Sequence, residues 1–80
     1  MSYRQPIFTE NQHYRSLQTF KGGPTTVFQK DEDLVFLKDY YVPYDDSFVY
    51  EFKSLSTGEI KQWWLHDGEP KEVWHTFFTT

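Results

Sequence analysis

The sequence predicts an all-β or β-dominated α+β domain, a small antiparallel barrel or a bent sheet of five to six strands. Three observations carry that expectation. Eight Phe, six Tyr and three Trp outnumber the twelve Ile, Val and Leu, and alanine does not occur. Aromatic and β-branched residues suit a pleated surface, whereas helical domains draw on Ala, Leu, Met and Gln. Short stretches of apolar–polar alternation recur at spacings of roughly ten residues, punctuated by Gly, Pro, Asp and Ser. Finally, the chain has 80 residues and no cysteine, which leaves one core that must hold by packing alone. A domain of this length has a net stability of roughly 4–12 kcal/mol.

Taken in order, residues 1–12 alternate without a stable period and are expected to form an arm that adds a strand or hangs free. Residues 13–80 form the single β-rich domain. From His13 to Lys21 the alternation of Tyr14, Ser16, Gln18 and Phe20 with Arg15, Leu17 and Thr19 predicts a strand. It is stopped by Gly22-Gly23-Pro24, where glycine permits positive φ and proline removes a ladder donor. Thr25 to Gln29 reads as a second short strand, before the charged turn Lys30-Asp31-Glu32-Asp33. Leu34 to Val42 is apolar on both faces, as a central strand is. Pro43-Tyr44-Asp45-Asp46-Ser47 ends it. Phe48, Tyr50 and Phe52 then share one face against Val49, Glu51 and Lys53, and after Ser56-Thr57-Gly58 the chain returns with Lys61, Trp63 and Leu65 opposite Ile60, Gln62 and Trp64. Beyond the turn cluster His66-Asp67-Gly68-Glu69-Pro70, the pairs Val73/Phe77 and Trp74/Phe78 stand four apart, as on a short helix with Asp67 or Gly68 before it and Pro70 in its first turn. A terminal strand is the alternative there.

The stretch Phe36-Leu37-Lys38-Asp39-Tyr40-Tyr41-Val42-Pro43-Tyr44-Asp45-Asp46-Ser47 resembles the core of a family of small, uncharacterised bacterial domains, written FLG…PYDDG. In that family a Gly-Glu turn precedes the core, and an aromatic strand and a Trp-containing strand follow it. Asp31-Glu32 with Leu34 and Trp63-Trp64-Leu65 stand in the corresponding places, so the likeness runs from about residue 13 to residue 65. Lys38 stands where the family has Gly, and Ser47 where it has the Gly after the acidic pair, so no glycine serves a positive-φ turn there. The tail departs from the family's longer helical ending. The resemblance implies a compact β-rich fold and no activity, since that family has none assigned. A weaker likeness to SH3-type barrels lies in the acidic turn and the tandem Trp, without the aromatic and Pro-Ser-Asn-Tyr positions of the SH3 groove.

The chemistry the residues permit is narrow. Net charge is −4 and the pI about 5.2, so no positive field draws nucleic acid or anionic lipid. No signal core and no membrane-spanning stretch of about 20 apolar residues appears, and a cytoplasmic location is expected. Asp45 and Asp46 are adjacent carboxylates, able in principle to share a proton or hold a metal, but neighbours on an extended chain point apart. Asp31, Glu32 and Asp33 lack the alternating oxygens of a calcium loop and read as a solvated turn. His13, His66 and His75 have no ligand spacing, and a zinc site would have to be assembled from His66, Asp67 and a distant His. No nucleophile elbow or phosphate loop is present, and neither an enzyme nor a cofactor is expected.

Trp63 and Trp64 face opposite sides of a strand, so at most one fills the core and the other is covered by arm and tail or left exposed. The expected function is a non-catalytic protein-binding module, one form being an inhibitor or immunity-type protein. Carboxylates would steer it to a basic partner surface and aromatics would hold it there. The residues expected to make that contact are Tyr41, Tyr44, Asp45, Asp46 and Trp63, with Asp31, Glu32 and Asp33 as rim charges. The alternative is a small ligand-binding or hydrolytic domain with Asp45, Asp46 and His66 in a cleft. A DNA mimic fits less well, because eight Lys and Arg offset twelve acids. Pairing of an exposed edge strand across a two-fold axis would make a homodimer.

Overall fold

The computed structural model describes residues 7–24, 26–66 and 68–80. Residues 1–6 of the expected arm, Thr25 at the start of the second short strand, and Asp67, named as a helix cap and zinc candidate, lie outside the described residues. Along the chain the strands are β1 His13–Ser16, β2 Phe20–Lys21, β3 Val27–Phe28, β4 Asp33–Val42, β5 Ser47–Ser54, β6 Ile60–His66 and β7 Phe78–Thr79, with a one-turn helix α1, Trp74–Phe77, before the last. Single 3-10 turns, Pro43–Asp45 and Lys71–Val73, precede β5 and α1.

Five strands form one bent antiparallel sheet in the order β6-β5-β4-β1-β7, and β2 and β3 pair separately. The period-2 alternation read from the sequence sets its faces. Cross-strand rows Phe36–Phe52–Lys61, Asp39–Tyr50–Trp63 and Tyr41–Phe48–Leu65 share the inner face. Rows Lys38–Glu51–Gln62, Tyr40–Val49–Trp64 and Val42–Ser47–His66 share the outer one. A β-bulge between Phe36 and Lys38 shifts the register of β4 against β5.

Three expectations need correction. The predicted strand from His13 to Lys21 breaks after Ser16: the Leu17 N–H still reaches the Phe77 carbonyl at 2.7 Å, but the chain bends at 17–18 and β2 turns away to pair with β3. The glycines at 22 and 23 are not positive-φ residues; they permit close approach. A Cβ on Gly22 would lie 2.3 Å from the Phe28 ring and 2.6 Å from the Gln62 carbonyl oxygen, and one on Gly23 would lie 2.6 Å from the Trp64 ring. That proximity lets the Trp64 N–H reach the Gly22 carbonyl at 2.7 Å and brings the β2–β3 hairpin onto the β6 edge. The tail, third, is helix and strand in succession: α1 ends at Phe77, and Phe78 pairs with Ser16.

The arm, too, belongs to the body of the domain from Ile7 onward. Asn11, at φ +66°, folds the chain back, and its N–H reaches the Phe36 carbonyl at 2.9 Å. Phe8 is thereby 3% exposed, its ring centroid 4.9–5.9 Å from those of Phe36, Tyr50, Phe52, Trp63 and Phe78. Most of these are the edge-to-face contacts that ring quadrupoles favour. Phe8→Ala is expected to cost about 3–5 kcal/mol, a large share of the whole stability. Urea denaturation measures it, and a loss below about 1 kcal/mol would place Phe8 outside the core.

Candidate functional site

β4 rises roughly 33 Å over its ten residues at the usual strand spacing, and only its first half, with Leu34 and Phe36, lies over the core. The far half and the start of β5 carry the turn at 43–46. Pro43 sets φ for the 3-10 turn, and Asp46 takes the left-handed conformation, φ +48° and ψ +44°. The positive-φ residue is therefore Asp46 itself, a residue type whose short polar side chain tolerates that region, and no glycine is needed. The Tyr41 hydroxyl donates to Asp46 Oδ1 at 2.8 Å, and Ser47 Oγ donates to the Asp45 carbonyl at 3.0 Å. Tyr44 at the apex is 100% exposed, and Asp45 and Asp46 beside it are also exposed. Tyr41 is partly covered, its ring centroid 5.0 Å from that of Phe48.

On the outer face next to this turn, hydrogen bonds hold the aromatics in place. Gln62 Nε2 donates to the Tyr40 hydroxyl at 2.9 Å and to Glu51 Oε2 at 3.0 Å. The Tyr40 hydroxyl donates to the same Glu51 oxygen at 3.2 Å. Desolvation raises the Tyr40 pKa, and the Glu51 charge and the hydrogen bond to it raise it further, so the phenol remains a donor. Lys38 Nζ stands 4.0 Å from Glu51 Oε1.

Two expected contact residues are elsewhere. Trp63 is 4% exposed and packs in the core, because strand alternation places it with Lys61 and Leu65 on the inner face. Its neighbour Trp64 faces outward, half-buried. Glu32 is not a rim charge: it is 7% exposed. The backbone N–H groups of Asp31 and Ser16 bond to the carbonyls of Ser16 and Glu32 at 2.9 and 3.1 Å, which pins this segment against β1 and turns the middle acid inward. Glu32 Oε1 accepts from Lys61 Nζ at 2.9 Å and from the Gln29 N–H at 3.0 Å, and Oε2 accepts from Ser54 Oγ at 2.6 Å. Lys61 also donates to the Val27 carbonyl at 2.8 Å, and Ser16 Oγ donates to the Gln29 carbonyl. Asp31 and Asp33 stay at the surface, Asp33 in an exposed pair with Arg15 at 3.2 Å of the kind that adds little stability.

Sequence reasoning missed Ser16, Ser54 and Lys61 as partners of Glu32. A signal for Lys61 existed, since a lysine alternating with Trp63 and Leu65 on a core face needs an acid.

No hydrogen bond or ion pair among the described residues joins a histidine to the acidic pair. His66 stands across from Ser47 in register, its Nδ1 accepting from the Gly68 N–H at 3.2 Å, and His75 stacks on Trp74 at 3.9 Å. Among the described residues no group of three or more His, Cys, Asp or Glu is placed to hold a metal ion, and no helix is long and apolar enough to cross a membrane.

No family model matches the chain, and no curated protein matches it either. Among solved structures, the fold is similar to that of an integron cassette protein from the mobile metagenome of Vibrio cholerae. The two share 16% identity at a TM-score of 0.69, over 91% of this chain and 87% of the other. At that identity the likeness shows a shared small antiparallel β fold and nothing about activity.

The buried pair makes stability depend on pH. Burial alone raises the Glu32 pKa, but the Gln29 N–H, the Ser54 hydroxyl and the Lys61 ammonium outweigh it and hold the carboxyl below its ordinary value of 4.5. A depressed folded-state pKa stabilises fully above the unfolded value and is lost as pH falls through the folded one. Lys61→Met is expected to cost about 3–5 kcal/mol at neutral pH, because it leaves a buried carboxylate unpaired. Glu32→Gln is expected to flatten the acid limb below pH 4.5. Urea denaturation across pH measures both, and an acid limb unchanged in Glu32→Gln would show that the pair does not set it.

Proposed function

We propose that this domain is a non-catalytic protein-binding module that presents the β4–β5 tip to a basic partner surface, in the manner of an inhibitor or immunity-type protein. The observation that carries the reading is Tyr44, wholly exposed at the apex of a turn whose backbone is already ordered. A tyrosine offered this way brings a large amphipathic surface at low cost in conformational freedom, and such residues dominate binding energy at interfaces. Asp45 and Asp46 flank it with negative charge, and carboxylates at a rim speed encounter with a cationic surface. An exposed turn, with His66 engaged by the Gly68 amide, weighs against the alternative of an acidic catalytic cleft.

The test is capture of a partner from the cell that makes the protein, followed by binding kinetics with the purified pair. The double variant Tyr44→Ala/Asp45→Ala is expected to weaken binding about ten-fold or more. Asp46→Asn should mainly slow association and reduce its salt dependence. Unchanged binding by the double variant, or a wild type that retains no protein yet cleaves a small substrate, would refute the reading.

A further inference from the structure

We infer that the cleft between residues 8–10 and the bulged part of β4 is a second subsite of the same surface, and that it takes an arginine side chain of the partner protein. The inference rests on the protein-binding reading above and adds to it the chemistry of one contact. The cleft, of about 410 Å³, is lined by Phe8, Thr9, Glu10, Phe36 and Asp39. Phe8 and Phe36, 3% and 4% exposed with ring centroids 5.3 Å apart, close its base from below. Its rim is acidic. Glu10 and Asp39 are both exposed, and among the described residues neither is held in an ion pair.

The bulge is what makes the rim negative. Strict alternation from Phe36 would carry Lys38 to the inner face and Asp39 to the outer one. The extra residue reverses this, pairing Asp39 with Tyr50 on the inner side and Lys38 with Glu51 on the outer side. Re-aiming a side chain is a recurrent use of bulges. The opposite wall is also set in advance. The Thr9 N–H donates to the Tyr14 hydroxyl at 2.8 Å, and the Gln12 and Phe36 N–H groups donate to the Thr9 and Gln12 carbonyls, each at 3.1 Å.

An apolar floor under two carboxylates complements a flat cation on an alkyl stem. A guanidinium directs several N–H groups to carboxylates in a fixed fork, whereas a lysine ammonium is a compact, strongly hydrated charge with no such geometry. Anions are repelled by the rim, and neutral groups leave it unmatched. The subsite is continuous with the proposed tip, because Asp39 and Tyr41 share a face of β4 roughly 7 Å apart along the strand. One partner of standard interface size spans both.

The test is an NMR titration of backbone amides with acetyl-Gly-Arg-Gly-amide, and with the same peptide carrying citrulline or lysine. The arginine peptide is expected to shift Thr9, Glu10 and Asp39 saturably. The lysine peptide should bind about five-fold more weakly or worse, and citrulline and the variant Glu10→Gln/Asp39→Asn should show no saturable response. Shifts located elsewhere, an equal response to citrulline, or binding unchanged in the variant would overturn the inference. With the captured partner, loss of binding in Tyr44→Ala/Asp45→Ala but not in Glu10→Gln/Asp39→Asn overturns the subsite and leaves the tip reading intact. The reverse pattern overturns the tip reading and leaves the arginine subsite.

Discussion

Lys61 shares the inner face of β6 with Trp63 and Leu65, so the pairing that buries the two apolar side chains also carries a cation to the edge of the core. A buried ammonium without a partner is too costly for a domain of this size. Glu32, from the connection between β3 and β4, supplies the partner, and the pair is completed by Ser54 from β5 and by the backbone at Gln29 and Val27. The cluster therefore joins β6, β5, β3 and the turn before β4. Among the described residues no buried side-chain polar atom lacks a hydrogen bond, which is the condition under which such a cluster specifies a structure instead of weakening it.

Beside this polar knot the core is a collection of rings, and close packing of rings dictates where glycine must stand. Gly22 and Gly23 lie against Phe28, Trp64 and the backbone of β6, so the β2–β3 hairpin can approach the sheet edge closely enough for the Gly22 carbonyl to accept the Trp64 backbone N–H. That contact also shields part of an edge which would otherwise be open to pairing with another chain. The hairpin thus meets the β6 edge through close packing and one hydrogen bond and not through a continuous ladder.

The buried core and the surface proposed for recognition occupy different lengths of β4. The first half of β4 is buried with the rings and its second half is mostly exposed, whereas β5 stays largely buried from Ser47 to Ser54, so the exposed 43–46 turn is held against a buried strand start. The bulge marks the boundary between these halves and changes which side chains face inward. An anchor built on strand ends is better ordered than one on a free loop, and preorganisation of this kind lowers the cost of ordering a contact on binding.

The strands β4, β5 and β6, the two faces of β5 and β6, and the turn at Pro43-Tyr44-Asp45-Asp46 were legible in the sequence, because period-2 alternation and turn chemistry are local properties of the chain. The same alternation separated Trp63 from Trp64 but did not say which of them faced the core. Only the tertiary structure decided that, along with the withdrawal of Glu32 from the surface and the seating of Phe8 among the core rings. It also decided the reversal of Lys38 and Asp39 at the bulge and the succession of helix and strand at 74–79. Each of these depends on a partner distant in the chain: Lys61 for Glu32, β5 for the register of β4, Ser16 for Phe78. A local pattern states which residues can share a face, whereas the face that becomes interior is set by what the rest of the molecule brings to cover it.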